Sequence, residues 1–253
     1  MYVVFIVGTA GSGKSLLTSA FLEWLKMEEQ NVASLNLDPG ATTLPYTPDV
    51  DVRNYIRIED IMERYGLGPN GALILAADLI ADEAGRIGDE LATLNPDIVL
   101  VDTPGQMELF AFRASGPYIA KELTKDPEAI IYLFDAVFSS DPLNFVSNMF
   151  LSAAIHTRFF IPQIHVLSKC DLLPKEEVDK IIRWSEDFSE LEIAIDERLK
   201  GSRRLLSQGM SKAIYQLDLN FELIDVSSVT NEGMTSLSAS LERIFTGGEK
   251  FTY

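Results

Sequence analysis

Gly8-Thr9-Ala10-Gly11-Ser12-Gly13-Lys14-Ser15 satisfies every fixed position of the pattern G-x-x-x-x-G-K-[ST]. The chemistry such a run performs is the holding of a nucleoside triphosphate. Its glycines let backbone N–H groups around Gly11, Ser12 and Gly13 converge on a β-phosphate without Cβ obstruction. Lys14 can reach the β and γ oxygens, and the Ser15 hydroxyl can ligate Mg2+. A helix starting here adds partial positive charge, so even an acidic chain can hold a triphosphate locally. A chance glycine-rich turn is the competing reading, and the complete match argues against it.

Two further carboxylates fall where they can serve the same ligand. Asp102-Thr103-Pro104-Gly105-Gln106 closes the apolar run Ile98-Val99-Leu100-Val101. An apolar strand ending in Asp places a carboxylate at the sheet's C-terminal edge, beside the phosphate loop. There Asp102 can hold the metal through water, and the Gly105 N–H can sense a γ-phosphate. Gln106 and Glu108 follow, where they can orient an attacking water. Asp38-Pro39-Gly40 ends another apolar run in the same way. It offers a third carboxylate at that edge, or a turn or helix-cap aspartate.

Ser168-Lys169-Cys170-Asp171 resembles the NKxD element that selects guanine. In that element the Asp carboxylate accepts hydrogen bonds from guanine N1–H and the 2-amino group, while the Lys stem lies along the ring. Adenine lacks that donor pair, a mismatch worth roughly 10⁴ in discrimination. Ser168 departs from the usual Asn, and its shorter hydroxyl forfeits about 1 kcal/mol of bracing contact. Asp171 has a simpler alternative as a cap for the helix after Pro174. Val226-Ser227-Ser228 sits where a small-residue loop would offer a backbone N–H, at Ser227, to guanine O6. The ligands implied are GTP and GDP with Mg2+.

These residues need a scaffold that brings strand ends together. Short apolar runs alternate with helical patterns, which is the βαβ signature of a parallel sheet. Strands are expected at Tyr2–Val7, Val32–Leu37, Asp97–Val101, Ala129–Phe134, Gln163–Leu167 and Phe221–Val226. Helices are expected at Ser15–Met27, Ile58–Tyr65, Asn70–Leu94, Pro142–Ile155 and Gly233–Phe245. Met107–Leu123 forms one helix or two, since Gly116-Pro117 interrupts it. Pro174–Met210 is charged and helical and reads as a hairpin of two helices outside the sheet, in an insertion bounded at about 174–215. The fold class is α/β: one P-loop nucleoside triphosphatase domain over 1–253, with a mostly parallel central sheet flanked by helices. The tail at Gly247-Gly248-Glu249-Lys250 is expected to fray.

Bulk properties narrow the function classes. The chain has 253 residues, 47% of them hydrophobic, enough for one sizeable α/β core. With 38 acidic and 21 basic side chains its formal charge is -17. That balance opposes nonspecific nucleic-acid binding, which needs clustered Lys and Arg. The single cysteine, Cys170, excludes an internal disulfide framework and any CxxC metal site. No window supplies the roughly 20 apolar residues of a membrane span. The chain therefore reads as cytoplasmic, with no membrane partner.

Gly68-Pro69-Asn70, continuing Gly71-Ala72, lies between the phosphate loop and DTPGQ. Together GTAGSGKS, NLDPG, GPNGA, DTPGQ with Glu108, and SKCD are similar in order and spacing to the GPN-loop GTPases of archaea and eukaryotes. The resemblance spans essentially the whole chain. It implies a tight homodimer, with the loop at 68–70 inserted in trans and Asn70 near the γ-phosphate of the partner's nucleotide. It also implies that Asp38, Gln106 and Glu108 position the attacking water. The helices after DTPGQ resemble an apolar client groove, which assigns Leu109, Phe110, Phe112 and Tyr118 either to a nucleotide-sensitive protein partner site or to a plain core stripe. Local sequence leaves Pro69 and Asn70 a second role as helix-start capping residues. Two other assignments compete: a metal-cofactor insertion GTPase, whose Cys/His clusters are missing, and an ATP-using ATPase or kinase of the same fold. A nucleotide-gated scaffold with incidental hydrolysis is a further reading, compatible with a GTPase.

Overall fold

The computed structural model describes residues 1–124, 128–198, 200–216 and 221–247. The first strand, β1 (Tyr2–Gly8), is a β-branched and aromatic run buried along nearly its whole length. Such a sequence can only be stable with helices on both faces. Its neighbours are β4 (Ile98–Asp102) on one side and β5 (Glu128–Asp135) on the other. Beyond β4 lie β2 (Val32–Asn36) and β3 (Val50–Asp51); beyond β5 lie β6 (Gln163–Ser168) and β7 (Leu223–Val226). The order is β3-β2-β4-β1-β5-β6-β7, and every paired strand runs parallel.

Alternation along the strands divides the core into two layers. Val3, Phe5 and Val7 of β1 pack with α3 (Pro69–Leu94), α5 (Ser115–Leu123) and α7 (Pro142–Phe159). Val4 and Ile6 face the other way, onto α1 (Lys14–Met27) and the closing helix, residues Met234–Thr246. This is the period-2 arrangement that a parallel sheet covered on both sides demands.

Four details depart from expectation. The two-residue strand β3 extends the sheet beyond β2 where the sequence pattern predicts no strand, because two residues carry no periodicity. The charged segment after β6 forms three helices, not a hairpin of two: α8 (Lys175–Glu186), α9 (Phe188–Arg198) and α10 (Ser202–Tyr215). Helix α8 packs on the core through Val178, Ile181 and Trp184, so it belongs to the sheet crossover. Finally, α4 (Met107–Phe110) and α5 are separate, but the break precedes Gly116-Pro117. Both residues lie in the first turn of α5, where Pro is tolerated. A Cβ on Gly116 would come within 1.9 Å of the Phe110 carbonyl oxygen, so glycine permits the close passage of α5 over the end of α4. The short α6 (Ala136–Ser139) follows β5, capped by Asp135. Of the tail expected to fray, Gly248, Glu249 and Lys250 lie outside the described residues. No helix among the described residues is long and apolar enough to cross a membrane. Helix α2 (Ile58–Tyr65) lies between β3 and α3, and the helix at Met234–Thr246 is α11.

Candidate functional site

Parallel strands deliver their C-terminal ends to one edge, and the motif residues follow those ends. The phosphate loop joins β1 to α1. Gly11 and Gly13 take left-handed backbone, φ 78° and 96°, which only glycine adopts without strain. Lys14 is 5% exposed, and its Nζ donates to the carbonyls of Gly8 (3.0 Å), Thr9 (3.0 Å) and Gly105 (3.3 Å). Burial pulls its pKa down, while the charges of Asp102, Asp38 and Glu108 push it up. A cation felt by three carboxylates, one after β2 and two flanking the β4–α4 connection, marks the centre of the site.

Asp102 is 1% exposed at the tip of β4. Burial raises its pKa to about 6, opposed by hydrogen bonds from Ser15 and Tyr46 and by Lys14. Its Oδ2 accepts from Tyr46 Oη at 3.2 Å. Its Oδ1 is buried without a hydrogen-bond partner among the described residues. A bare carboxylate oxygen next to a serine hydroxyl is the donor set a hard, oxygen-seeking cation requires, so the residues present fit Mg2+. Asp38 bridges two loops: Oδ1 accepts from Gly40 N (2.9 Å) and Oδ2 from Gly105 N (2.9 Å). The amide read as a γ-phosphate sensor therefore lies against the third carboxylate. Glu108 and Gln106 are exposed at the start of α4, and Gln106 caps that helix through its backbone carbonyl.

Asp38 is held by residues that motif reading passed over. Asn36, fully buried, donates through Nδ2 to the Asp38 carbonyl (3.2 Å) and Asp51 Oδ1 (3.0 Å), while its Oδ1 accepts from Asp38 N. Asp51 in turn takes a bidentate pair from Arg53, whose Nη1 also donates to the Ala41 carbonyl (2.8 Å). Planar two-point pairing fixes geometry as well as charge. This Arg53–Asp51–Asn36 chain anchors both ends of the loop that carries Asp38.

At the base end, Ser168 Oγ lies 2.8 Å from the Ser12 carbonyl, to which it donates, and 3.3 Å from that of Phe134. Lys169 takes left-handed backbone, φ 62°, and its Nζ donates to the Gly11 carbonyl and Asp135 Oδ2, both at 2.6 Å. Its stem thus lies beside the phosphate loop, held by an aspartate the sequence did not single out. The exposed Asp171 accepts from Ser227 Oγ at 2.8 Å. The Ser227 amide donates to the Glu232 carbonyl (3.1 Å), so it is the hydroxyl that addresses Asp171. Burial pushes the Cys170 thiol up to about 12, which keeps it inert.

Gly68 caps α3 and Pro69 is its first residue. Leu73, one turn on, covers Gly40: a Cβ there would lie 2.7 Å from Leu73 Cδ2. The loop at 68–70 therefore sits over the Asp38 loop, and both line a cavity of about 690 Å³ with Arg53 and Arg57. Asn70 is exposed, and its side chain makes no hydrogen bond to the described residues.

A family model described as "Conserved hypothetical ATP binding protein" matches residues 6–247. GPN-loop GTPase PAB0955 of Pyrococcus abyssi is 34% identical over 241 residues, 94% of each chain. The crystal structure of PAB0955 in apo form matches with TM-score 0.85 at 31% identity, covering 96% of this chain and 97% of that one. The chain belongs to the GPN-loop GTPase family. Longer members include QQT2 of Arabidopsis thaliana, 30% identical over 94% of this chain and 62% of its own length. GPN-loop GTPase 1 of Saccharomyces cerevisiae is likewise 30% identical, over 95% of this chain and 65% of its length. This chain thus spans under two thirds of those eukaryotic members and nearly all of the archaeal one.

Among the apolar residues the GPN-loop resemblance assigned to a client groove, the four separate cleanly. Leu109 and Phe110 are core, and Phe110 stacks between Phe5 and Phe159. Phe112 and Tyr118 are exposed.

Proposed function

We propose that this GTPase binds Mg2+–GTP and hydrolyses it to GDP and phosphate as a homodimer, each Asn70 acting at its partner's nucleotide. The observation that carries hydrolysis is the convergence of Asp38, Asp102 and Glu108 on Lys14, with Asp38 also held by the Gly105 amide. Ser15 and Asp102 would hold Mg2+, which when bound draws charge from the phosphate oxygens. Lys14 and the loop amides neutralise the transferring group, where preorganised donors count most. Asp38, with Gln106 and Glu108, orients water for in-line attack. Asn70 supplies neutral donors whose strength does not vary with pH; its exposed, unbonded side chain beside the Asp38 loop supports a role toward a second chain.

Asp171 favours guanine over the ATP of the family description, because a carboxylate facing adenine would lose both donors. Competition of labelled GTP by ATP tests this directly: equal displacement would overturn it. As a cytoplasmic nucleotide-gated switch, the protein would present Phe112 and Tyr118 to a protein client.

The trans loop is tested by mixing two inactive variants. Asn70→Ala should lower turnover with little change in GTP affinity, and Lys14→Ala should lose binding. Mixed one to one, half the dimers pair an intact phosphate loop with an intact Asn70. About a quarter of wild-type turnover should then return, since each such dimer has one complete site. No recovery, or unaltered turnover in Asn70→Ala, would remove the trans assignment.

A further inference from the structure

The segment between β2 and β3 is tied down along its length. Ser19 Oγ on α1 donates to the Pro45 carbonyl at 3.2 Å. Asp49 Oδ2 accepts from both the amide and the hydroxyl of Ser34, each at 2.8 Å. Between these anchors stands Tyr46, its ring packed against the core layer formed with α1. The hydroxyl of Tyr46 reaches Asp102 Oδ2, while Oδ1 stays bare and buried.

A carboxylate turns about its Cβ–Cγ bond unless something holds one oxygen. With Oδ2 engaged by a phenol on an anchored loop, Oδ1 has a fixed direction. Partners of this kind set the orientation and basicity of metal ligands without touching the metal. We propose that Tyr46 is a positioning residue for the divalent cation: its hydroxyl holds the Asp102 carboxylate so that Oδ1 is presented to Mg2+. This rests on the assignment of Ser15 and Asp102 as metal-holding residues and goes beyond it, because it concerns the group that holds the ligand carboxylate in place. It also couples two halves of the site, since the chain segment carrying Asp38 continues into the one that steadies Asp102.

Tyr46→Phe keeps the ring and removes only the hydroxyl. Mn2+ binding to the GDP complex, followed by electron paramagnetic resonance, should weaken about 10- to 100-fold with a broadened Mn2+ spectrum. GDP affinity measured in EDTA and the melting temperature should stay at wild-type values. Wild-type Mn2+ affinity in Tyr46→Phe would overturn the proposal. So would an equal loss of metal-free GDP affinity, which would make Tyr46 a wall of the nucleotide pocket. Asp102→Ala is the control on the underlying assignment. If it too retains Mn2+, the metal reading of Asp102 fails; if it loses Mn2+ while Tyr46→Phe does not, only the role of Tyr46 fails.

Discussion

Replacing Ser168 by alanine isolates the one irregular position of the guanine motif. The side chain is 4% exposed, and its hydroxyl lies against two carbonyls, with Ser12 the nearer. Alanine removes the donor and leaves a buried acceptor on the phosphate loop unpaired, at a cost of about 1–2 kcal/mol. For a domain this size that lowers the melting temperature by about 3–6 °C. The brace reaches Ser12 and no phosphate group, so the nucleotide must restore the lost loop order whether or not a γ-phosphate is present. About 1 kcal/mol of reordering weakens GTP and GDP by the same factor, roughly fivefold. Thermal denaturation with and without nucleotide, alongside calorimetric titration of both ligands, measures each quantity. A loss confined to GTP, or no change in melting temperature, would refute the bracing role.

Two other perturbations follow from the site and its surroundings. Burial raises the Glu128 carboxyl to about 7 from 4.5. A raised carboxyl contributes stability fully below 4.5 that is lost as pH rises through 7. Glu128→Gln, which never ionises, should raise the melting temperature by about 3–6 °C at pH 8 and leave it unchanged at pH 4, after discounting for partial exposure. Equal effects at both pH values would show the shift to be irrelevant. Asp171→Asn replaces an acceptor pair by an amide that matches xanthine, so xanthosine triphosphate should overtake GTP, with GTP weakened by roughly 10⁴ at the limit; competition against labelled GDP decides, and a retained GTP preference would reduce Asp171 to an acceptor for the Ser227 hydroxyl.

Much of this site was readable because its parts are contiguous. The phosphate loop, Asp102 and Asp171 each close a strand whose apolar run announces it, and parallel topology then forces those ends to one edge. What escaped reading is the side-chain wiring between distant positions. Asn36 meets Asp51 fifteen residues on, and Tyr46 meets Asp102 fifty-six residues on; neither pair leaves a periodic trace. Arg53 stands in no motif, and only its fork on Asp51 gives it a role. The same limit explains β3, too short for alternation, and α8, whose charged surface hid the three residues it buries. Gly116 was read as a helix interruption, whereas it marks a close passage that only the neighbouring carbonyl reveals.

The central place of β1 has a consequence for the order in which the protein is made. Its partners begin at Ile98 and Glu128, so β1 has no strand to pair with until long after it emerges from the ribosome. Helices α1 and α3 form from local contacts meanwhile, but an unpaired apolar run stays exposed through that interval. The phosphate loop follows β1 directly, so its place beside the other strand ends waits on that pairing. The base end comes later still, because Ser168, which braces the phosphate loop, and Asp171 follow β6, so nucleotide capture by a growing chain would report that translation has passed Asp171.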